Sequence, residues 1–428
     1  MSCKSHIVKN IWTVSSYIFL GNGIIFYGCS SSDSPFESST GPSNTSGTVF
    51  ESPIEFDAGE NPVSIVSGDF NGDDESDLVV ASSRKQDGIS TTEDGSLTLL
   101  QYTSSSSSRF PFVSSTISPT TEEWRQDMIS VDYSGDNNTD LVVTKTGEDK
   151  IKFLLNDGSA NFSDNGSIEV GDVPLSIISG DWNDDNETDL AVVNRDDSSV
   201  SILQNSNGVF SLSQTLSVDE RPIRTVSGDW DADSDIDLAV LLRDSTKIQI
   251  WLNSGTGSFS KQDSSYSVGS FPIDMITGDW DCDENLDLAV SNSGDNTISL
   301  IFGKGDGTFA SEVVINSGRG PSSMASADFN NDNNMDFVVG HRFLVSTTGV
   351  SLLTGDFSLT LSDTSSTTGY ASSVSFAATT EEDGASPAEI IIIDADNDSK
   401  LDLLITLPLT KKLSVLFGKQ YTGSLTCP

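Results

Sequence analysis

The sequence predicts an all-β fold, a seven-bladed β-propeller, from a repeated acidic motif and from the strand-like segments around each copy. The motif occurs seven times in 428 residues. Four of the six intervals between copies are 48, 49 or 50 residues, and two longer intervals indicate insertions. No sustained helical period follows residue 47. A repeat of this length that is rich in strands is typical of a propeller, in which each unit forms one blade.

Each repeat contains four segments with strand character. An apolar run such as "PLSIISGD" precedes the acidic motif, and a run such as "DLAVVN" follows it. A third segment such as "KIQIWLN" leads to a Gly-rich turn and an aromatic residue, as in "GKGDGTF" at 303–309, and then to a fourth segment. The repeat region begins with a fourth-strand pattern at 48–59 and ends after a third strand at 412–418. We therefore predict that the N-terminal strand completes the last blade and closes the ring.

The acidic motif has the ligand pattern of a calcium loop. Of its nine positions, 1, 5 and 9 are aspartate in every copy, position 3 is Asp, Asn or once Ser, and position 7 varies. Oxygen atoms at positions 1, 3, 5 and 9, with a backbone carbonyl at position 7, would supply the six to eight ligands that Ca²⁺ takes. The ion would offset the repulsion between the carboxylates and clamp the hairpin of the first two strands. The alternative is seven ordinary polar turns. An EF-hand does not fit, because position 12 of the fourth copy is Val240, inside a strand.

We number these segments loop one to loop seven and predict up to seven Ca²⁺ ions. The candidate ligands at positions 1, 3, 5, 7 and 9 of successive loops are Asp69, Asn71, Asp73, Glu75 and Asp77; Asp132, Ser134, Asp136, Asn138 and Asp140; Asp181, Asn183, Asp185, Glu187 and Asp189; Asp229, Asp231, Asp233, Asp235 and Asp237; Asp279, Asp281, Asp283, Asn285 and Asp287; Asp328, Asn330, Asp332, Asn334 and Asp336; and Asp394, Asp396, Asp398, Lys400 and Asp402.

The acidic loops and the "GKGDGTF" segment resemble the FG-GAP or VCBS repeat propellers, which include the ligand-binding propeller of integrin α-subunits. The resemblance covers residues 48–420 and implies seven blades with calcium in the hairpin loops. The family favours glycine at loop position 6, where this chain has other residues throughout. Ser234, Glu284 and Ser399 tolerate left-handed backbone less well than Asn or Asp. We therefore expect strain in loops four, five and seven.

The N-terminus has the pattern of an export signal. Lys4 and Lys9 precede an apolar stretch at 11–28, and Cys29 follows Gly28. This resembles a bacterial lipoprotein signal, so we predict a signal peptide at 1–29 with lipidation at Cys29. A plain signal peptide and an uncleaved anchor helix are the alternatives. Residues 30–47, rich in Ser, Gly and Pro, are predicted to be a flexible tether for a propeller domain at 48–428.

The charge narrows the range of partners. With 64 acidic and 22 basic residues the net charge is −42, which argues against nucleic acid as a partner and favours cations. The two histidines, His6 and His341, leave little room for imidazole chemistry. The four cysteines do not form a disulfide framework, although a bond between Cys282 and Cys427 stays open.

The insertions predict where a partner binds. Segments 82–95, 118–127, 340–349 and 378–387 are expected in loops on the face opposite calcium, on blades that are adjacent once the ring closes. We hypothesise a ligand surface there; neutral loop variation is the alternative. The residues of this hypothesis are Arg84, Lys85, Trp124, His341, Arg342 and Phe343.

Three functions are compatible with this sequence. We favour a monomeric, non-catalytic protein that binds a protein or a glycan and is exported to the cell surface or outer membrane, or faces the periplasm, with a lipid anchor as its only membrane contact. No P-loop, G-x-S-x-G or HExxH motif occurs. The alternatives are a propeller enzyme acting on glycans or phosphoesters and a structural or assembly lipoprotein.

Overall fold

The computed structural model describes most of the repeat region. The described residues are 50–83, 96–103, 112–117, 127–281, 283–317, 319–329, 335–347, 350–362, 370–377 and 387–419, with the backbone alone for those between 342 and 377. The export signal, Cys29, the tether, Cys282 and Cys427 lie outside these ranges. Within the described ranges, no helix has the length and apolar character of a membrane span.

The described strands form seven four-stranded antiparallel sheets. Sheets one to three comprise β2 (Pro62–Gly68), β3 (Asp77–Ser82), β4 (Ser96–Tyr102) and β5 (Phe112–Ile117); β6 (Met128–Val131), β7 (Asp140–Lys145), β8 (Lys150–Asn156) and β9 (Phe162–Glu169); and β10 (Pro174–Gly180), β11 (Asp189–Asn194), β12 (Ser199–Ser206) and β13 (Val209–Ser217). Sheets four to six comprise β14 (Pro222–Gly228), β15 (Asp237–Leu242), β16 (Lys247–Leu252) and β17 (Ser260–Ser267); β18 (Pro272–Gly278), β19 (Asp287–Asn292), β20 (Thr297–Ile301) and β21 (Val313–Asn316); and β22 (Pro321–Ala327), β23 (Asp336–Thr347), β24 (Val350–Ser362) and β25 (Tyr370–Ala377).

The seventh sheet combines the two ends of the repeat region. It comprises β26 (Ile390–Ile393), β27 (Asp402–Leu407), β28 (Lys412–Leu416) and β1 (Ile54–Asp57). The strand β1 pairs antiparallel with β28, with Ile54 opposite Val415. The first strand along the chain is therefore the outer strand of the last sheet. The prediction of an all-β propeller is confirmed.

The apolar core lies between neighbouring sheets. The second strands of all sheets except sheet six, such as β11, are buried at every residue, because neighbouring sheets cover both of their faces. Seven buried clusters each draw on two sheets that follow one another, and one of them joins Ile65 of sheet one to Leu404 of sheet seven. The first strands contact one another in the order β2, β6, β10, β14, β18, β22 and β26, and β26 contacts β2.

Aromatic pairs connect loops one to four to the next sheet. In these loops the aromatic residue at position 2 packs against the phenylalanine that follows the Gly-rich turn of the next unit. The Trp182 and Phe259 rings lie 5.9 Å apart, and the Phe70 and Phe162 rings 5.5 Å apart, both edge to face. Trp230 with Phe309 and Tyr133 with Phe210 repeat the arrangement. These four loops are therefore fixed to the following sheets through aromatic contacts.

The prediction of an insertion loop at 340–349 is wrong for residues 340–347. These residues extend β23, which pairs with β24 as far as Thr347 opposite Val350. Phe343, Leu344 and Val345 have strand propensity, so both strands of this hairpin continue beyond the length found in other sheets.

Candidate calcium loops

The acidic loops occupy the same place in each sheet, between its first and second strands. Position 1 follows the last residue of the first strand, as Asp229 follows Gly228, and position 9 begins the second strand, as Asp237 begins β15. All seven position-9 aspartates are fully buried. In loop six, Asn330, Asp332 and Asn334 lie outside the described residues.

Outside loop six, each loop wraps around its first aspartate. In loop one, Oδ1 of Asp69 accepts a hydrogen bond from the Asp73 N–H at 3.2 Å, and Oδ2 accepts one from the Asp74 N–H at 2.9 Å. The position-5 carboxylate of Asp73 accepts one from the Glu75 N–H at 3.0 Å. The same bonds recur in loops two, three, four, five and seven. The backbone thus holds these carboxylates in place without an ion.

The position-9 aspartate joins the loop to the third strand. Oδ2 of Asp237 accepts a hydrogen bond from the Trp230 N–H at 3.1 Å, and Oδ1 accepts one from the Asn253 N–H at 2.8 Å. Equivalent pairs hold Asp77, Asp189, Asp287 and Asp402. A carboxylate offers about four lone-pair sites, so two backbone bonds leave it able to ligate a cation.

Three loops bring three carboxylates together at positions 1, 3 and 9. One oxygen of each lies within 4.8 Å of the others in the groups Asp229, Asp231 and Asp237; Asp279, Asp281 and Asp287; and Asp394, Asp396 and Asp402. Two oxygen ligands that each lie about 2.3–2.6 Å from one Ca²⁺ are at most about 5 Å apart, so these separations permit a shared ion. The donor set therefore fits a hard divalent cation. Loops one, two and three have Asn71, Ser134 and Asn183 at position 3, which offer a neutral oxygen instead.

Burial changes the protonation of the position-9 aspartates. It raises the pKa of Asp77 and Asp140 to about 6, that of Asp189, Asp237 and Asp402 to about 7, and that of Asp287 to about 8. The backbone donors oppose this rise, and the neighbouring loop carboxylates add to it. In the metal-free protein, protons therefore compete for the site that a divalent cation would take.

Position 7 behaves as a structural position. Its side chains face the Gly-rich turn of their own sheet: a Cβ on Gly255 would lie 2.7 Å from the carboxylate oxygens of Asp235, and one on Gly305 would lie 2.3 Å from Oδ1 of Asn285. Gly255 and Gly305 also have φ angles of 70° and 66°, so a side chain at either position would be strained. The Lys400 ammonium forms an ion pair with Asp398, the position-5 carboxylate of loop seven. The prediction of a backbone ligand at position 7 is compatible with this variety of side chains.

Position 6 has left-handed backbone in every loop where it is described. The φ angles are 77° at Ser234, 71° at Glu284 and 64° at Ser399. Asp74, Asn137 and Asn186 have the same geometry with residues that tolerate it. The expected strain in loops four, five and seven thus has a backbone basis.

Replacing Glu284 by glycine should stabilise the metal-free protein. Left-handed backbone costs a non-glycine residue roughly 1–2 kcal/mol, and the greater freedom of unfolded glycine offsets part of the gain, so we expect about 0.5–1 kcal/mol. Two variants serve as controls. Glu284→Gln removes the charge and keeps the strain, and Asn186→Gly replaces a residue that tolerates the left-handed backbone. Thermal melts should rank Glu284→Gly above both controls; equal melting temperatures would refute strain at this position.

The residues of the predicted ligand surface are not brought together by the described structure. Arg84, Lys85 and Trp124 lie outside the described residues, and Arg342 and Phe343 are described only as backbone within β23. His341 is 1% exposed and pairs with Pro321 and Asp356 within its sheet. It lies inside a strand and not at the border of a surface loop, so the ligand surface stays a prediction.

A second cluster of charged residues, which the sequence reasoning missed, lies where the first strands meet. It consists of Asp127, Arg224, Asp274 and Glu389, and we call it the central cluster. Nε of Arg224 lies 3.1 Å from Oδ1 of Asp274, and Nη1 lies 3.7 Å from Oδ2 of Asp127. All four residues stand five positions before the first aspartate of their loops, where the other units have Ser64, Ser176 and Ser323. An alignment of the repeats at this position would have revealed them.

The carboxylates of the central cluster also connect sheets. Oδ2 of Asp127 accepts a hydrogen bond from the Ile177 N–H, Oδ2 of Asp274 accepts one from the Met324 N–H, and Oε2 of Glu389 accepts one from the Ile65 N–H. Each donor belongs to the sheet that follows. Burial raises the pKa of Asp127 and that of Glu389, the latter to about 8, with the charge of Arg224 opposing the rise.

Comparison with known proteins agrees with this architecture. A model of the FG-GAP-like repeat matches residues 229–290 and 279–339. No curated protein matches the chain. Among solved structures, BBS1N in complex with ARL6DN is similar with a TM-score of 0.58 at 11% identity, covering 87% of this chain and 98% of that one.

Two further solved structures are similar at low identity. A functionally unknown protein from Desulfotomaculum acetoxidans has a TM-score of 0.50 at 10% identity, over 74% of this chain and 88% of that one. A putative 6-phosphogluconolactonase from Bacteroides uniformis has a TM-score of 0.50 at 9% identity, over 70% and 82%. At such identities the likeness concerns the fold alone. Residues 229–339 match the FG-GAP-like repeat directly, and the acidic hairpins of the other sheets are in register with theirs, so the chain is a β-propeller that contains FG-GAP-like repeats.

Proposed function

We propose that this protein is a calcium-stabilised, non-catalytic binding protein whose seven sheets form one closed ring, exported and held at a membrane by a lipid on Cys29. The observation that carries the proposal is the recurrence of three converging carboxylates at the same loop positions in three units. The donors are oxygen atoms only, which suits a hard cation such as Ca²⁺. The order of contacts among the first strands and the pairing of β1 with β28 support the ring.

The residues of each loop would hold the ion in defined roles. The carboxylates at positions 1 and 9 and the side-chain oxygen at position 3 would bind it directly, with position 5 and the carbonyl of position 7 completing the set. When bound, Ca²⁺ would supply positive charge where like charges now meet. The chain itself supplies the geometry, because backbone N–H groups already orient positions 1, 5 and 9 in loops such as loop four.

A structural role fits the central cluster better than catalysis does. A catalytic acid or base must reach a substrate. The carboxylates of Asp127, Asp274 and Glu389 instead accept backbone hydrogen bonds from neighbouring sheets, and Arg224 pairs with two of them. The structural similarity to a putative lactonase keeps an enzyme as the second candidate. BBS1N, which has a similar fold, was crystallised in complex with ARL6DN, and this complex is the precedent for a protein partner.

Two measurements test the proposal together. Titration of metal-free protein with Ca²⁺ by isothermal calorimetry should show several sites, and the variant Asp229→Asn, Asp279→Asn, Asp394→Asn should lose at least three of them. The calcium-loaded domain is then screened against glycan and matrix-protein arrays, with size-exclusion chromatography to detect self-assembly. No heat of binding at millimolar Ca²⁺ would refute the calcium proposal, and turnover of a glycan or phosphoester would favour the enzyme.

A further inference from the structure

Three buried asparagines connect acidic loops that belong to neighbouring sheets. Asn156, Asn205 and Asn253 stand at the ends of the third strands of sheets two, three and four and are 1%, 5% and 6% exposed. Each follows its own position-9 aspartate by sixteen residues, and its backbone N–H donates a 2.8 Å hydrogen bond to Oδ1 of that aspartate. The backbone of each asparagine is thus tied to the loop of its own sheet.

The side chains of the same asparagines reach the preceding loop. Nδ2 of Asn156 donates to the Phe70 carbonyl at 2.8 Å, Nδ2 of Asn205 to the Tyr133 carbonyl at 2.9 Å, and Nδ2 of Asn253 to the Trp182 carbonyl at 2.8 Å. These carbonyls belong to position 2, between the candidate ligands at positions 1 and 3. One buried amide therefore contacts two successive loops.

The hydrogen bonds form an unbroken path between two candidate calcium ligands. Oδ2 of Asp189 accepts from the Trp182 N–H at 3.2 Å, the Trp182 carbonyl accepts from Asn253, and the Asn253 N–H donates to Asp237. The same sequence of bonds joins Asp77 to Asp140 through Phe70 and Asn156. Each path begins at position 9 of one loop and ends at position 9 of the next.

We propose that Asn156, Asn205 and Asn253 are positioning residues that couple calcium binding at loops one to four, so that an ion in one loop favours an ion in the next. The inference rests on the proposed calcium function. A bound ion would fix positions 1, 3 and 9, and with them the position-2 peptide between them. The asparagine then transmits that fixed position to the aspartate of the following loop, which is how two sites acquire a coupling free energy.

The chain itself contains units without this side chain. Gly303 and Gly418 occupy the equivalent position in sheets five and seven, and their N–H groups still donate to Asp287 and Asp402 at 2.8 and 2.7 Å. Between loops four and five, the Trp230 carbonyl accepts a bond from the Gly307 backbone N–H, whereas the Phe70 carbonyl accepts bonds from both the Ala160 N–H and the Asn156 amide. Glycine at this position is therefore compatible with the loop, and Asn253→Gly removes the side-chain link while keeping the backbone bond.

A mutant cycle tests the coupling loop by loop. Hydrogen exchange of the peptide that contains residues 229–237, followed against free Ca²⁺, gives the calcium midpoint of loop four. Asp181→Asn disables loop three and should raise that midpoint about fivefold or more in an otherwise unchanged chain. In the Asn253→Gly background, Asp181→Asn should leave the midpoint within twofold.

The control is Asn194→Gly. Asn194 is fully buried, but its Nδ2 donates to Ser199 and Ser201 within its own sheet, so the effect of Asp181→Asn should persist in this background. Asn205→Gly with Asp132→Asn, read at residues 181–189, repeats the test if Asn253→Gly does not fold. If Asp181→Asn still raises the calcium midpoint of loop four about fivefold in the Asn253→Gly background, the coupling proposal is wrong. Absence of calcium-dependent protection in every loop of the unaltered protein would instead refute the calcium function itself.

Discussion

Removal of calcium should lower the melting temperature on the order of 10 °C at pH 8 and by less than half as much at pH 5.5. An ion at 100 times its Kd stabilises the folded state by about 2.7 kcal/mol, and the three loops with converging carboxylates would each add such a contribution on binding an ion. About 1 kcal/mol shifts the melting temperature by a few degrees or less in a domain of this size. The pH dependence follows from the buried position-9 aspartates.

The sign of this pH dependence can be worked out from their pKa values. In the metal-free folded protein these pKa values are about 6 to 8, above the ordinary value of 3.8. The folded state therefore holds more protons than the unfolded state between these limits. The stabilisation of the folded state by these extra protons is complete below pH about 4 and is lost as the pH rises through 6 to 8. A bound cation replaces the protons, so calcium contributes most where they are absent.

Differential scanning fluorimetry of metal-free protein with and without 5–10 mM Ca²⁺, on the order of saturation for a weak extracellular site, checks this result. Sodium chloride at matched ionic strength separates binding from screening. Metal-free protein should melt at a lower temperature at pH 8 than at pH 5.5. A calcium effect that is independent of pH would show that the position-9 aspartates do not take part.

Arg224→Met should destabilise the protein by about 3–5 kcal/mol. Removing one partner of a buried ion pair leaves the other charges uncompensated. Asp127 is 3% exposed and Asp274 is 7% exposed, and both would remain without the guanidinium that lies against them. Because their oxygens also hold N–H groups of sheets three and six, the loss would affect contacts between sheets.

The neighbouring Arg221→Met is the matched control. Arg221 is exposed, and its guanidinium lies 3.6 Å from the Asp244 carboxylate, so its loss should change stability by less than about 1 kcal/mol. The loss of stability in Arg224→Met should be larger at pH 8 than at pH 5.5, because protonation of Asp127 and Glu389 removes the negative charge that the variant leaves without a partner. Equal melting temperatures for the two variants would show that the central cluster does not stabilise the fold.

Much of the candidate site could be predicted from single residues and their spacing. Aspartate at positions 1, 5 and 9 identified the loops, and the residues at position 6 indicated left-handed backbone that Ser234 and Glu284 do adopt. These are local properties: nine consecutive residues contain the donors, the turn and most of the hydrogen bonds that orient them.

Other features depend on residues far apart in the chain. Arg224 meets Asp127 and Asp274 only because the first strands of different sheets converge, and nothing in its own segment, "RPIRTVSG", indicates a partner about fifty to a hundred residues away. The same holds for Asn253, whose amide reaches Trp182 in the preceding sheet. His341 lies in a segment that the sequence analysis assigned to an insertion loop. Residues 340–347 of that segment instead continue strand β23.

By itself, the sequence determined the all-β propeller class, the four-stranded unit and the position of every acidic hairpin. These follow from periodicity and from ligand chemistry within one repeat. Only the tertiary structure decided which charges meet at the centre, which amides join successive loops and which carboxylates are buried deeply enough to keep a proton near neutral pH. Those properties arise from packing between sheets, where residues with no relation in sequence come into contact and lose water.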